Sequence, residues 1–307
     1  MLSRALRERL SSQLMQMATL FTILLTLLIT LALYLKSKPI LDLHPLEQLL
    51  FSSSWHPMKG EFGLLPFILG TLWVTGLAMI LSVPLCLLSA MYLSEYAAPR
   101  IRAWVKPLID LLAGIPSVVF GVWGVLFVVP LVKDYIVPFT QEYLSFIPSL
   151  ATTNTTGYSL LAGGVVLAVM VFPFIISVAE EVLCAVPGEL RAASLAVGAT
   201  KWQTIKHVVL RKASPGLIAA VVLGFSRAFG ETIAVLMVVG NVARIPTSIF
   251  DAAYPLPALI ANNYGEMLSV PLYDSALLLA ALVLLSVNLV FTILARVVLL
   301  GATKRAI

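Results

Sequence analysis

Along the chain, apolar residues come in long unbroken runs, separated by short segments that hold nearly all of the charge. Six of these runs are long enough to cross a hydrocarbon layer of about 30 Å, which takes about 20 helical residues. They are Leu14–Leu35, Leu64–Leu93, Leu108–Val132, Ser159–Ala179, Gly216–Gly240 and Ser275–Leu300. No period-two alternation interrupts them, so they predict helices and not the strands of a membrane barrel. The pattern predicts an all-α polytopic membrane protein with six transmembrane helices. A cytoplasmic segment, residues 1–13, precedes a single transmembrane domain over residues 14–307. No region reads as a separate soluble domain.

Pro84, Pro116 and Pro173 fall inside these runs, and each is expected to free a carbonyl and bend its helix. Tolerated kinks and a conduit that must flex both account for them. The segment Leu41–Phe51, beside Trp55, predicts a short interfacial helix. Arg4, Arg7 and Arg9 ahead of an apolar run resemble the start of a signal peptide. Leu14–Leu35 is too long for that, and no small-residue cleavage site follows, so it reads as a retained first span.

Composition agrees with this pattern. Of 307 residues, 60% are hydrophobic and 11% charged, where soluble domains carry roughly 25% charged residues. Lipid must solvate much of the apolar surface. The net charge of +5 does not point to nucleic acid, because the basic residues sit in short segments between spans. Their distribution sets orientation instead. If the N-terminus is inside, fourteen Lys and Arg fall on inner segments (Arg100, Arg102, Lys106 and Arg191 among them) and five on outer ones. The excess of positive charge predicts both termini in the cytoplasm. Cys86 and Cys184 show neither metal spacing nor a disulfide framework, and His44, His56 and His207 are isolated from metal or triad partners.

The longest inner segment, residues 180–215, has a periodicity of its own. Leu190, Ala193, Ala196 and Val197 recur at helical spacing, as do Trp202, Ile205 and Val209. Gly198 between them reads as a helix stop, and Thr200 with Gln203 has the form of a capping box. Two short helices joined at a glycine turn are predicted, with a mixed apolar and basic face free to meet a partner.

The fifth run carries the main anomaly. Arg227 lies 11 residues past Gly216, about 16 Å along a helix and near mid-membrane. Glu231 follows four residues later, on the same face and within pairing reach. Charges at that depth are costly against lipid and mark transport paths by default, although a self-neutralising pair that braces the bundle also fits. A guanidinium fork suits a tetrahedral oxyanion, whereas Glu231 would repel one. The pattern suggests an arginine that exchanges between Glu231 and a passing anion. Asp110 falls at the inner mouth of the third span, where anchoring that helix end accounts for it better than lining the path, and Glu95, at the inner end of the second, reads as interfacial.

The stretch LRAASLAVGATKWQTIKHVVL, Leu190 to Leu210, resembles the "EAA" loop of ABC-importer permeases. Aligned on Gly198, Ala192-Ala193-Ser194 stand for the EAA triplet, and Val208 and Leu210-Arg211 for the later Ile and Leu-Pro. The Glu and Pro of that pattern are absent; the glycine, the spacing and the amphipathic frame remain. GFSRAFGETIAVLMVVGN (Gly224–Asn241), LLAGIPSVVFGVWG (Leu111–Gly124) and FGLLPFILGTLWVT (Phe62–Thr75) resemble the C-type permeases of phosphate-specific ABC importers. The resemblance implies an ABC-importer permease fold of the MetI-like kind, a permease with no ATPase site of its own, and orthophosphate as cargo. It implies a substrate path at Arg227 and Glu231, and ATPase coupling through Ala192, Ala193, Ser194, Gly198, Thr200 and Trp202. The partners it implies are an A-type permease, two cytoplasmic ATPase subunits and an extracytoplasmic phosphate-binding protein, together with the lipid bilayer. No phosphate-loop motif G-x-x-x-x-G-K-[ST] occurs, so the chain itself is expected to bind no cofactor, with ATP-Mg held by the partner ATPase. A permease for molybdate or sulfate, or an ATP-independent channel or carrier, stands as the alternative.

Overall fold

The computed structural model describes residues 4–143, 154–266, 270 and 272–306. Residues 1–3 of the expected N-terminal segment therefore lie outside the described residues. So do residues 144–153, 267–269 and 271 of the expected outer segments.

Among the described residues six helices are long and apolar enough to cross a membrane: Glu8–Leu43, Leu65–Tyr96, Ser117–Tyr143, Leu160–Cys184, Lys201–Phe229 and Tyr273–Gly301. They belong to α1 (Arg4–Leu43), α3 (Leu65–Met91, prolonged by a π turn over Tyr92–Tyr96), α5 (Ser117–Tyr143), α6 (Leu160–Cys184), α8 (Lys201–Phe229) and α11 (Tyr273–Ala306). The shorter helices are α2 (Leu46–Phe51), α4 (Pro99–Ala113), α7 (Gly188–Ala196), α9 (Ile233–Val238) and α10 (Leu256–Asn263). One feature departs from an all-helical chain: Trp55–His56 (β1) and Glu61–Phe62 (β2) form a small antiparallel hairpin. Its turn closes at Gly60, which has φ +76°.

The membrane core is built by α3, α5, α6, α8 and α9. Val74 and Ala78 meet Val166, Leu167, Met170 and Val171 of α6, with Ala228, Val235 and Val238 completing the cluster. Without a strong hydrophobic drive in lipid, such helices associate through close packing at small residues. Gly224 of α8 is one such point: a Cβ there would lie 2.5 Å from Cγ1 of Ile175. A second cluster, with Ile40, Leu49, Phe62, Phe67, Leu259 and Tyr273, closes the end of the bundle that carries the hairpin. A third, with Ala90, Leu183, Val209 and Ala213, closes the opposite end, where Gly198 lies. The helix α1 rests on α11 and buries nothing over its apolar middle within this chain.

Two spans differ from the sequence expectation. The run Leu108–Val132 is not one helix. Its first six residues belong to α4, an amphipathic helix that ends at Gly114, and the crossing helix starts only at Ser117. The residue before proline is driven out of the α region, so Pro116 opens a new helix instead of kinking an existing one. Pro84 and Pro173, by contrast, sit inside continuous helices.

The run Gly216–Gly240 is also divided. The long helix α8 stops at Phe229, Gly230 to Thr232 are not helical, and α9 resumes at Ile233. It emerges where α6 begins: the Ser159 N–H donates to the carbonyl of Val238 at 3.2 Å, and the Leu160 N–H to that of Asp251 at 2.9 Å. The fifth crossing is thus a broken helix, interrupted beside its charged residues.

Candidate translocation path and docking loop

Arg227 sits in the last turn of α8, and its side chain points out of the chain's own core. Its guanidinium carbon lies 5.2 Å from the ring centroid of Phe174. Phe174 is 10 residues from the Cys184 end of α6 and 14 from its Leu160 end. At 1.5 Å per residue these are about 15 and 21 Å, so the arginine stands near the middle of the crossing. The other face of α8 is fastened by Phe225 and Phe229 against Phe291 of α11, with centroids 4.6 and 6.1 Å apart.

The i,i+4 pairing expected of Arg227 and Glu231 does not form. The helix ends before Glu231, and among the described residues neither side chain takes part in an ion pair. The Glu231 carboxylate instead accepts from the Ala234 N–H at 3.4 Å, within the first turn of α9. A glycine, which loses most entropy in a helix, and a carboxylate able to compete for backbone N–H groups explain why the break falls there. Arg227 is left facing outward, half-way along the bundle, with an aromatic ring and, among the described residues, no carboxylate against it. Such a group can seat an anion on its free donors.

At the opposite end of α8 the loop over residues 180–215 folds as two helices about Gly198, which has φ +87°. The capping box is present: the Gln203 N–H donates to Thr200 Oγ1 at 3.3 Å, and the Thr200 N–H to Gln203 Oε1 at 2.8 Å. The second helix is not short, because it runs on through a π turn over Ile205–Val209 into the span itself. The docking turn is therefore continuous with the helix that carries Arg227. Ala192, Ala193, Gly198, Thr200 and Trp202 are exposed, as are Leu195 and Val197, the last at 85%. Ser194 differs: it is half-buried, and its hydroxyl bonds that of Thr204 at 2.9 Å, tying α7 to α8.

Sequence reasoning passed over a charged cluster beside this loop. Glu180, whose side chain is only 4% exposed, pairs with Arg102 and with Lys106, the latter at 3.3 Å; Lys106 also reaches Glu181 at 3.3 Å. Burial pulls the Lys106 pKa down, but the two carboxylates outweigh it and the net direction is upward. Asp110 accepts from Ser177 Oγ at 2.9 Å, a further tie between α4 and α6 that fits an anchor of this helix end. Arg102 and Lys106 stand four apart on an amphipathic helix, and an acidic doublet ends the fourth span. That complementary spacing was the available signal. Glu95, read as interfacial, is buried against Arg191 at 2.7 Å.

A bundle with a broken crossing helix, a midplane arginine and an exposed two-helix loop defines a membrane transport subunit. The family profile described as "Binding-protein-dependent transport system inner membrane component" matches residues 82–300, and the chain belongs to that family. It is 38% identical over 258 residues to the phosphate transport system permease protein PstC of Xylella fastidiosa strain 9a5c, covering 83% of this chain and 79% of the relative. It is 33% identical over 238 residues to the probable phosphate transport system permease protein PstC of Methanocaldococcus jannaschii, covering 78% and 75%. The chain is, in those terms, PstC-like. An inward-facing structure of the MetNI methionine ABC transporter has the same fold, with a TM-score of 0.57 at 20% identity over 81% of this chain and 99% of that one.

Proposed function

We propose that this chain is one permease of an ATP-driven importer that moves orthophosphate into the cytoplasm, with its termini on the cytoplasmic side. A second, A-type permease would complete the path. Two ATPase subunits would dock on the Gly198 loop and bind ATP-Mg, and an extracytoplasmic phosphate-binding protein would deliver the cargo. The observation that carries the reading is Arg227: a guanidinium half-way along the bundle, outside the core of its own chain, with no acidic side chain within 4 Å among the described residues. Left unpaired, it would be costly in the membrane unless water or an anion met it, and its planar fork fits the oxygens of a tetrahedral oxyanion.

Glu231 supports release. Its carboxylate lies on the non-helical link just past Arg227 and would repel an anion that lingered there. Binding strong enough to admit the ion and weak enough to free it is what a conduit needs. The names of the relatives favour phosphate over other oxyanions. The exposed apolar turn at Leu195, Val197 and Trp202 supports a docked partner, since such a surface on the aqueous side calls for a cover.

The test is uptake by the full complex in vesicles, with labelled phosphate against sulfate and molybdate. ATP-dependent accumulation of phosphate in preference to the other two is expected. Preference for sulfate or molybdate would make this a permease for that oxyanion, and uptake with the ATPase omitted would overturn the importer reading.

A further inference from the structure

The inner wall of the docking loop is gripped at two points by one short piece of α3. Over Tyr92–Tyr96 that helix widens into a π turn before the chain becomes extended at Ala97. Such turns are rare, frequently lie at functional sites, and offer a helix a place to change register. Glu95 in this turn has an 8% exposed side chain and receives Arg191 of α7, with Nη2 at 2.7 Å and Nε at 3.3 Å. The same guanidinium donates through Nη1 to the carbonyl of Val186 and through Nη2 to that of Leu183 at 2.8 Å. One side chain thus joins α3, the last turn of α6 and the first docking helix. On the far side of Gly198, the Lys201 ammonium stands 4.5 Å from the ring centroid of Tyr96. The residues before and after the docking turn therefore hold adjacent positions of a single helix end.

A lysine could not reproduce Arg191 here, because the contacts to Glu95, Val186 and Leu183 come from three different nitrogens of one planar fork, a spread that a single ammonium nitrogen does not have. The buried Glu95 carboxylate has this arginine as its one ion-pair partner among the described residues. Since α3 packs along α6 through the membrane core, a displacement of its end is carried into the bundle.

We propose that Glu95 and Arg191, seconded by Lys201 and Tyr96, are positioning residues that pass the movement of the docking loop to α3. The proposal rests on the reading of that loop as the ATPase dock. It gives the loop two outputs: α8, continuous with the loop and bearing Arg227, and α3, moved through this clamp.

The experiment measures ATP hydrolysis and phosphate uptake together in the reconstituted complex. In Glu95→Ala and in Arg191→Lys, hydrolysis is expected to stay within about twofold of the unaltered complex, while phosphate moved per ATP falls about tenfold, as loss of a charge-assisted contact allows. In Glu95→Gln, which keeps an acceptor, the ratio should fall less, by about threefold. Uptake and hydrolysis that fall in proportion, or a ratio that stays constant, would overturn the proposal. Should Glu95→Ala not assemble, Lys201→Gln at the exposed contact serves, with an expected loss in the ratio of about threefold. A second readout needs no ATPase. Hydrogen exchange of the purified chain should rise about tenfold at residues 92–97 in Arg191→Met, and unchanged exchange there would contradict the clamp. An unaltered complex that takes up no phosphate on ATP would count against the importer reading, with the clamp still decided by exchange.

Discussion

The guanidinium of Arg227 lies over the ring of Phe174, 5.2 Å from its centroid, at a level where the fifth crossing is about to break. The ring holds the cation from one side only. A cation held by a quadrupole keeps its donors available, whereas one paired to a carboxylate must first be released. Replacing Phe174 with leucine keeps the volume and removes that hold. Phosphate affinity in transport is expected to weaken about threefold, consistent with an exposed cation–π contact of about 0.5–1 kcal/mol. The apparent KM for phosphate checks this; an unchanged KM would mean that the ring does not position the arginine.

Glu231 should act on release more than on entry. With Glu231→Gln the local repulsion of a bound anion is lost. The expected result is a lower apparent KM together with a turnover reduced about tenfold, measured as initial uptake rates over a phosphate series. A variant with raised KM and normal turnover would assign Glu231 to capture instead.

The charged cluster between α4 and α6 makes an asymmetric prediction about stability. Removing both cations, in Arg102→Gln with Lys106→Gln, strands the buried Glu180 carboxylate and should cost about 3–5 kcal/mol. Glu180→Gln leaves two cations that are each more than a third exposed, and should cost only about 1 kcal/mol. Thermal unfolding in detergent compares the two. The upward direction at Lys106 fixes the pH sense: its contribution is present below the ordinary 10.5 and is lost as pH rises through the higher folded value. Loosening of α4 by alkali is therefore expected only above that pH.

A side chain at Gly224 should force its neighbours to shift. An added Cβ would meet Ile175 Cγ1 at 2.5 Å and Val171 Cγ1 at 3.1 Å, where α8 crosses α6. Gly224→Ala is expected to cost about 1–3 kcal/mol and to lower the yield of folded protein, as read by thermal unfolding.

The parts of this arrangement that depend on neighbours in sequence were legible from it. Run length gave six crossings, and the spacing of Thr200 and Gln203 gave the cap that starts α8. Gly198 marked the turn because only φ +87° ends α7 there. Arg227 stood out as a charge in an apolar run, but the pairing with Glu231 fails, because four-residue spacing implies contact only where the helix persists. Gly230 ends it two residues too soon. Pro116 suggests a kink for a similar reason: the run stays apolar across Gly114–Pro116 although the backbone does not stay helical. The clamp of Glu95 on Arg191 joins residues 96 apart, and no local pattern records which distant carboxylate an arginine will meet.

The central claim is that Arg227 seats the transported anion. The most direct test is the initial rate of ATP-dependent phosphate uptake by complexes containing Arg227→Gln, matched to the unaltered complex for assembly and ATP hydrolysis. Loss of a charged hydrogen-bond donor of about 1.5–3 kcal/mol predicts a rate lower by about ten- to a hundredfold. An assembled Arg227→Gln complex that takes up phosphate at the full rate would contradict it.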